Sequence, residues 1–294
     1  MYLVTGATGG LGRRVVRLLR DREQPVRAFT RLTSNYSELE QRGAQICIGD
    51  LRREKDIRRA CHGVRYVISA HGSSDSGETA QETDYRANVE LIDSAKEAGV
   101  LHFVFISVLG ADRGYEESPV FKAKREVEKY LQGSGLNYTI LRPSGFASNL
   151  LPAARRFRQT GIYLLIGDSK TRTSIVSTDD LAQITVDSPT REGARNQILP
   201  VGGPEVLRRD DIPKIFSRVF DREPITVNPP LALFDGVRTG IGLFDAQAQN
   251  SLGTLRVLLA NEFFCTPAEI EHLESIFEIK METLEQFVRR YLDG

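Results

Sequence analysis

The stretch that most constrains this chain is its beginning, Met1-Tyr2-Leu3-Val4-Thr5-Gly6-Ala7-Thr8-Gly9-Gly10-Leu11-Gly12. A short apolar run leads into three glycines, Gly6, Gly9 and Gly12, each separated from the next by two residues. Leu11, Val15, Leu18 and Leu19 then recur at helical spacing. A strand, a glycine turn and a helix N-terminus thus follow one another without a linker. Free N–H groups at a helix start point at a ligand, the helix dipole favours negative charge, and glycine lets backbone approach closely. The pattern predicts a bound pyrophosphate held by Gly6, Thr8, Gly9, Gly10, Leu11 and Gly12.

The rhythm continues. Val26–Thr30, residues 44–48 and 64–69, His102–Ser107 and Tyr138–Leu141 read as strands. Helical patterns lie between them, near Lys55–Cys61, over Thr83–Ala98 with Gly99 as a cap, and over Pro119–Gly133. A polar stretch runs from Arg31 to the third strand, and 73–81, polar and small, reads as a surface loop. Alternation at this pace specifies an α/β fold, a doubly wound parallel sheet with helices on both faces. Ligands of such sheets bind at the C-terminal strand ends, near the switch point in strand order. Residues 1–145 form the expected dinucleotide-binding core. From about Phe146 the alternation loosens. Short strands at 162–167, 197–200 and 225–227 and helices at 178–186 and 210–220 precede Pro229-Pro230 and a mostly helical tail. Residues 146–294 are read as a smaller region for substrate or partner, partly interleaved with the core. A final helix, 283–292, carries Leu284, Phe287, Val288 and Tyr291 on one stripe, the mark of core packing.

Composition excludes several classes. Lys plus Arg and Asp plus Glu both number 39 in 294 residues, so no overall basic field attracts nucleic acid. Cys47, Cys61 and Cys265 are far apart and form no CxxC pair; free thiols in a reducing, cytoplasmic or stroma-like compartment are expected, and no metal site. No apolar run approaches the roughly 18–20 residues that cross a bilayer, although peripheral docking on a membrane complex stays open.

Two strand ends carry specific choices. An acid at the end of the second strand binds a ribose 2′-hydroxyl. Here the segment reads Ala28-Phe29-Thr30-Arg31-Leu32-Thr33, and Arg31 suits a 2′-phosphate through charge-assisted bonds, so NADP(H) is expected over NAD(H). Asp50 follows the third strand, where it either bonds the adenine amine, with Leu51 against the ring, or serves as a turn aspartate.

Together these pieces resemble the atypical short-chain dehydrogenase/reductase superfamily, NmrA-like branch, a Rossmann-type fold. The resemblance rests on the glycine turn, Gly49-Asp50-Leu51, Asp84-Tyr85 with Asn88, the run Ala98-Gly99-Val100-Leu101-His102-Phe103-Val104-Phe105-Ile106-Ser107, Lys124 with Glu128, and Gly135-Leu136-Asn137-Tyr138-Thr139-Ile140-Leu141-Arg142-Pro143. The layout is similar to the photosystem II assembly-factor proteins of cyanobacteria and plastids, and more weakly to isoflavone-reductase-like enzymes. The resemblance implies that Ala70, His71, Ser107, Pro143 and Ser144 line the cofactor and that Lys124 is the catalytic candidate. In ordinary members a tyrosine four residues before the lysine donates a proton to the substrate. That position is Val120 here, and valine transfers no proton. Tyr85 and Tyr115 are spare phenols. Two functions are therefore open: an NADPH-dependent reductase of a small organic substrate, or a non-catalytic NADP(H)-binding sensor or assembly factor that docks a protein partner.

Overall fold

The structure, a computed structural model, describes residues 1–72, 79–242 and 246–292. The chain forms two compact units. The first comprises Met1–Gly114, Val120–Arg142 and Leu181–Leu199; the second comprises Tyr115–Pro119, Pro143–Asp180 and Pro200–Gly294.

In the first unit β1 (Tyr2–Thr5) runs through the glycine turn into α1 (Gly10–Asp21), which buries Leu11, Val15, Val16 and Leu19. There follow β2 (Val26–Thr30), α2 (Ser37–Gln41), β3 (Gln45–Ile48), α3 (Glu54–Cys61) and β4 (Tyr66–Ser69). A π-helical turn, Gln81–Arg86, leads into α4 (Ala87–Glu97), then β5 (His102–Ile106), α5 (Pro119–Gly133) and β6 (Tyr138–Pro143). The sheet order is β3-β2-β1-β4-β5-β6 and then β9 (Gln197–Val201). Every pairing from β3 to β6 is parallel, with Val4 opposite Ala28 on one side and Ile68 on the other. Strand order reverses beside β1, which opens a crevice at the C-terminal ends of β1, β2 and β4. Leu3, Val67, Phe103, Phe105 and Ile140 are fully buried in the core on which α3, α4 and α5 pack.

Two local features depart from the sequence reading. The polar stretch 32–43 contains α2, anchored by the single buried Leu39; one apolar residue leaves no period to detect. The helix read from Thr83 begins earlier, as the π-turn, whose wider winding carries Thr83 and Asp84 inward. Of the expected loop 73–81, residues 73–78 lie outside the described residues.

The second unit holds α6 (Leu151–Thr160), β7 (Ile162–Leu164), β8 (Arg172–Thr173), β10 (Leu207–Arg208), α8 (Asp211–Phe220), β11 (Ile225–Val227), α9 (Leu231–Gly242), α10 (Ala246–Ala260), α11 (Pro267–Phe277) and α12 (Leu284–Leu292); α7 (Thr178–Asp187) runs from it into the first unit. β7 pairs with β11 in parallel, and β8 with β10 antiparallel. Phe157, Phe216 and Phe287 centre a core built from α6, α8 and α12. The stripe on α12 buries Leu284, Phe287 and Val288, as its spacing predicts. Among the described residues no helix is long and apolar enough to cross a membrane.

Candidate functional site

The glycines divide their work. Gly6 adopts φ +67°, where a Cβ would lie 2.5 Å from the Ala70 carbonyl oxygen, so only glycine lets the ends of β1 and β4 meet here. A Cβ on Gly12 would lie 2.1 Å from the Gly6 oxygen, so Gly12 lets α1 pack down on the turn. Gly9 caps α1 with no side-chain hydrogen bond. Its N–H donates to the Gly6 carbonyl at 2.9 Å. Arg13 braces the turn: Nε donates to the Thr8 carbonyl and Nη2 to the Asn35 carbonyl, both at 2.8 Å.

Around this turn lies a pocket of about 240 Å³. Gly6, Thr8 and Gly9 form its floor. Thr30, Arg31 and Ser34 stand at the end of β2, Asp50, Leu51 and Arg52 after β3, and Ala70 and His71 after β4. Gly10, Leu11 and Gly12 belong to the first turn of α1, with Leu11 and Gly12 buried. The Ser34 N–H donates to the Arg31 carbonyl at 3.0 Å, a turn that brings both side chains to one lip of the pocket. Asp50 accepts the Arg52 N–H at 2.9 Å and the Arg52 guanidinium at 2.6 Å, which holds its carboxyl below the usual range. It is thus a turn aspartate that also lines the pocket.

His71 is buried, and its protonation is readable from its neighbours. Nδ1 lies 2.8 Å from Thr5 Oγ1 and 3.2 Å from Ser69 Oγ. Asn88 Nδ2 donates to the Asp84 carbonyl, so Asn88 Oδ1 faces Ser69 and takes the Ser69 hydroxyl proton at 2.6 Å. With that proton committed, Ser69 Oγ turns a lone pair to the ring, which favours a proton on Nδ1. Burial, then the Lys124 charge, push the imidazole down to about 4, against the Asp84 carboxylate and the Thr83 main chain, so the ring is neutral at pH 7. Nε2 and Thr30 Oγ1 are buried without a hydrogen-bond partner among the described residues, and both residues line the pocket.

Lys124 is 7% exposed. Its Nζ donates to the carbonyls of Ile106 at 3.0 Å and His71 at 3.4 Å, pairs with Asp84 Oδ1 at 3.5 Å, and lies 4.8 Å from the centre of the Phe105 ring. It is a buried cation that ties the ends of β4 and β5 together, not a solvated helical lysine. Asp84, 1% exposed, reaches it from the π-turn.

Other expected residues are not among those that line this pocket. The Ser107 hydroxyl donates to Glu128 at 2.5 Å, and Glu128 is gripped by Arg142 at 2.9 and 2.6 Å. Pro143 and Ser144 belong to the second unit, where Ser144 Oγ donates to the Ser174 carbonyl. Tyr115 packs against Phe263, and Tyr85 against the core of the first unit. The sequence reading missed Thr30, Ser34, Arg52, Thr83 and Asp84. Ser34 stands three residues after Arg31; Asp84 belongs to a motif of the resemblance, but its pairing with Lys124, 40 positions away, carried no local signal.

The residues present fit a dinucleotide phosphate. A bare helix N-terminus, glycines whose Cβ atoms would fill the turn, a cation at the end of β2 and two buried polar atoms without partners converge on one crevice. Comparisons with known proteins agree. Residues 6–192 match a family described as NAD(P)H-binding. An NAD(P)H azoreductase of Xenophilus azovorans is 33% identical over 260 residues, covering 87% of each chain. A photosystem II assembly factor, Ycf39 of Cyanophora paradoxa, is 27% identical over 297 residues, 98% of this chain and 91% of that one. Among solved structures, an NADPH-dependent quinone oxidoreductase, QOR2 of Escherichia coli, complexed with NADPH, matches over 100% of both chains with a TM-score of 0.77 at 22% identity, a likeness of fold.

Proposed function

This chain belongs to the NAD(P)H-binding family, of the atypical short-chain dehydrogenase/reductase type, and on that premise we propose that it binds NADP(H) and reduces a small conjugated organic acceptor. The observation that carries the cofactor preference is the end of β2, which offers Thr30, Arg31 and Ser34 to the pocket and no carboxylate. Arg31 and Ser34 would hold a 2′-phosphate, and the first-turn N–H groups of α1, at Gly10 and Leu11, the pyrophosphate. Asp50 and Leu51 would flank the adenine. Lys124 and His71 would face the nicotinamide ribose, the neutral His71 Nε2 accepting a hydroxyl proton. Bound NADPH supplies a hydride.

The absent hydroxyl at Val120 bears on the acceptor. Ordinary ketone reduction leaves an alkoxide that needs an acid at hand. A quinone or an azo compound spreads the added charge over a conjugated system and takes its proton from water. Relatives and neighbours named for azo and quinone reduction support that class.

A second reading, a cofactor-loaded assembly factor, is favoured by Val120 and by the match of 98% of the chain to an assembly factor. Calorimetric titration with NADPH and NADH, followed by NADPH consumption with a benzoquinone acceptor, separates the two. Selective NADPH binding with turnover supports the reductase. Binding without turnover, with a stable protein partner on purification, supports the assembly factor. Binding of neither nucleotide overturns both.

A further inference from the structure

The second unit carries its own pocket, of about 270 Å³, walled largely by aliphatic and aromatic side chains that include Leu165, Ile175, Ile212 and Phe263. Two polar residues on its wall have capacity to spare. Tyr163, on β7, is 9% exposed, and its ring packs edge-on against Phe216 at 5.8 Å. Its hydroxyl bonds no described residue and is not among the fully enclosed polar atoms without a partner, so it is open to a ligand at the pocket wall.

Arg209, between β10 and α8, is the other. Its Nη1 donates to the carbonyls of Leu259 at 2.6 Å and Ile166 at 3.3 Å, and its Nη2 to that of Leu258. Three of the five N–H groups of a guanidinium are thereby used. No carboxylate lies within ion-pair distance of it among the described residues; Asp168 acts only from farther off. The carbonyl end of α10 offsets part of the charge through the helix dipole. Burial still lowers the guanidinium pKa, as expected of a cation taken from water without full compensation. Arg172, on the same wall, is by contrast neutralised by Glu262 at 2.7 Å.

We infer that this pocket binds an amphipathic organic anion, its apolar body among the aliphatic side chains and its oxygens on the Arg209 guanidinium and the Tyr163 hydroxyl. A carboxylate accepts from both donors, and an apolar wall suits a hydrocarbon or aryl tail. The pocket consists wholly of residues of the second unit, so the inference does not rest on the cofactor reading.

Calorimetric titration of the full chain with phenylbutyrate, and with its uncharged analogue phenylbutanol, tests it. Saturable binding is expected, with the carboxylate at least about tenfold tighter. Tyr163→Phe should keep the fold, because the hydroxyl bonds nothing, and should weaken phenylbutyrate about threefold to tenfold with phenylbutanol unchanged. Arg209→Gln should weaken it further; if the loss of the carbonyl bonds unfolds that variant, Tyr163→Phe carries the test alone. Equal affinity for acid and alcohol, no saturation by either, or full affinity in Tyr163→Phe would overturn the inference.

Discussion

A pair of alanine substitutions separates the two jobs of the glycine turn. At Gly12 the new Cβ would sit 2.1 Å from the Gly6 oxygen and 2.8 Å from Ala7 Cα. Both obstacles are backbone, so no side chain can swing away, and either α1 lifts or the turn deforms. Overpacking against atoms that cannot yield costs about 3 kcal/mol, which in a chain of this size lowers Tm by roughly 6–12 °C. At Gly9 the nearest atom to a new Cβ is the same oxygen at 3.3 Å, and φ −77° with ψ 171° is ordinary for alanine. Gly9→Ala should cost less than about 1 kcal/mol of stability, the loss of a glycine cap. Its methyl would stand over the N-terminus of α1, where a phosphate must approach. Loss of one charge-assisted bond there is worth about 1.5–3 kcal/mol, or roughly 10- to 150-fold in NADPH affinity. Thermal melts and calorimetric titration of both variants measure the split. A Gly12→Ala protein that melts with the parent, or a Gly9→Ala protein that binds NADPH at parental strength, would refute this division.

Arg31→Ala should weaken NADPH by about 10- to 150-fold and NADH by less than about threefold, measured by the same titration; equal losses would remove Arg31 from the phosphate. Arg142→Met should destabilise the first unit by about 3–5 kcal/mol in urea unfolding, because Glu128 would be left as a buried carboxylate bonded only to Ser107. Asp112→Ala, which removes the exposed end of the same chain of charges, should cost under about 1 kcal/mol. Stability should also depend on pH. Burial pushes His71 and His102 down to about 4, so between 4 and 6.5 the unfolded chain binds protons that the folded chain refuses, and stability rises with pH across that window. Asp180, pushed up to about 6 by burial, works the other way; its contribution is present below 3.8 and is lost as pH rises through 6. His102→Gln should therefore flatten the rise by ~1.4 kcal/mol per pH unit near pH 5 in urea titrations at several pH values, and an unchanged slope would mean that His102 is charged when folded.

The sequence by itself determined the architecture of the first unit. Glycine spacing, strand alternation and helical stripes are local properties, set by the period of the backbone and readable within one turn or one strand. Thus the spans Val26–Thr30 and Pro119–Gly133 read the same in the sequence as in the fold, as does Ile225–Val227 in the second unit. The place of Arg31 at the pocket was equally legible, because it follows from standing just past a strand. Where a local signal was thin, reading failed: α2 hangs on Leu39 alone, and the π-turn differs from an α-turn only in winding.

Tertiary structure decided what no window contains. Lys124 sits among charged neighbours on its helix, and nothing in that window shows that it is buried; β4 and β5, placed side by side, deliver the carbonyls of His71 and Ile106 to its Nζ. Asp84 became its partner only through the π-turn. The resemblance implies that Ser107 lines the cofactor; that Glu128 takes its hydroxyl, with Arg142 fixing the carboxylate beside it, is seen only in the fold. Tyr163 and Arg209, far apart in the chain, share a pocket that no periodicity announces. The physical reason is the same in each case. Backbone geometry repeats over a few residues, whereas the dielectric and the partners of a side chain are set by whichever distant segment packs against it.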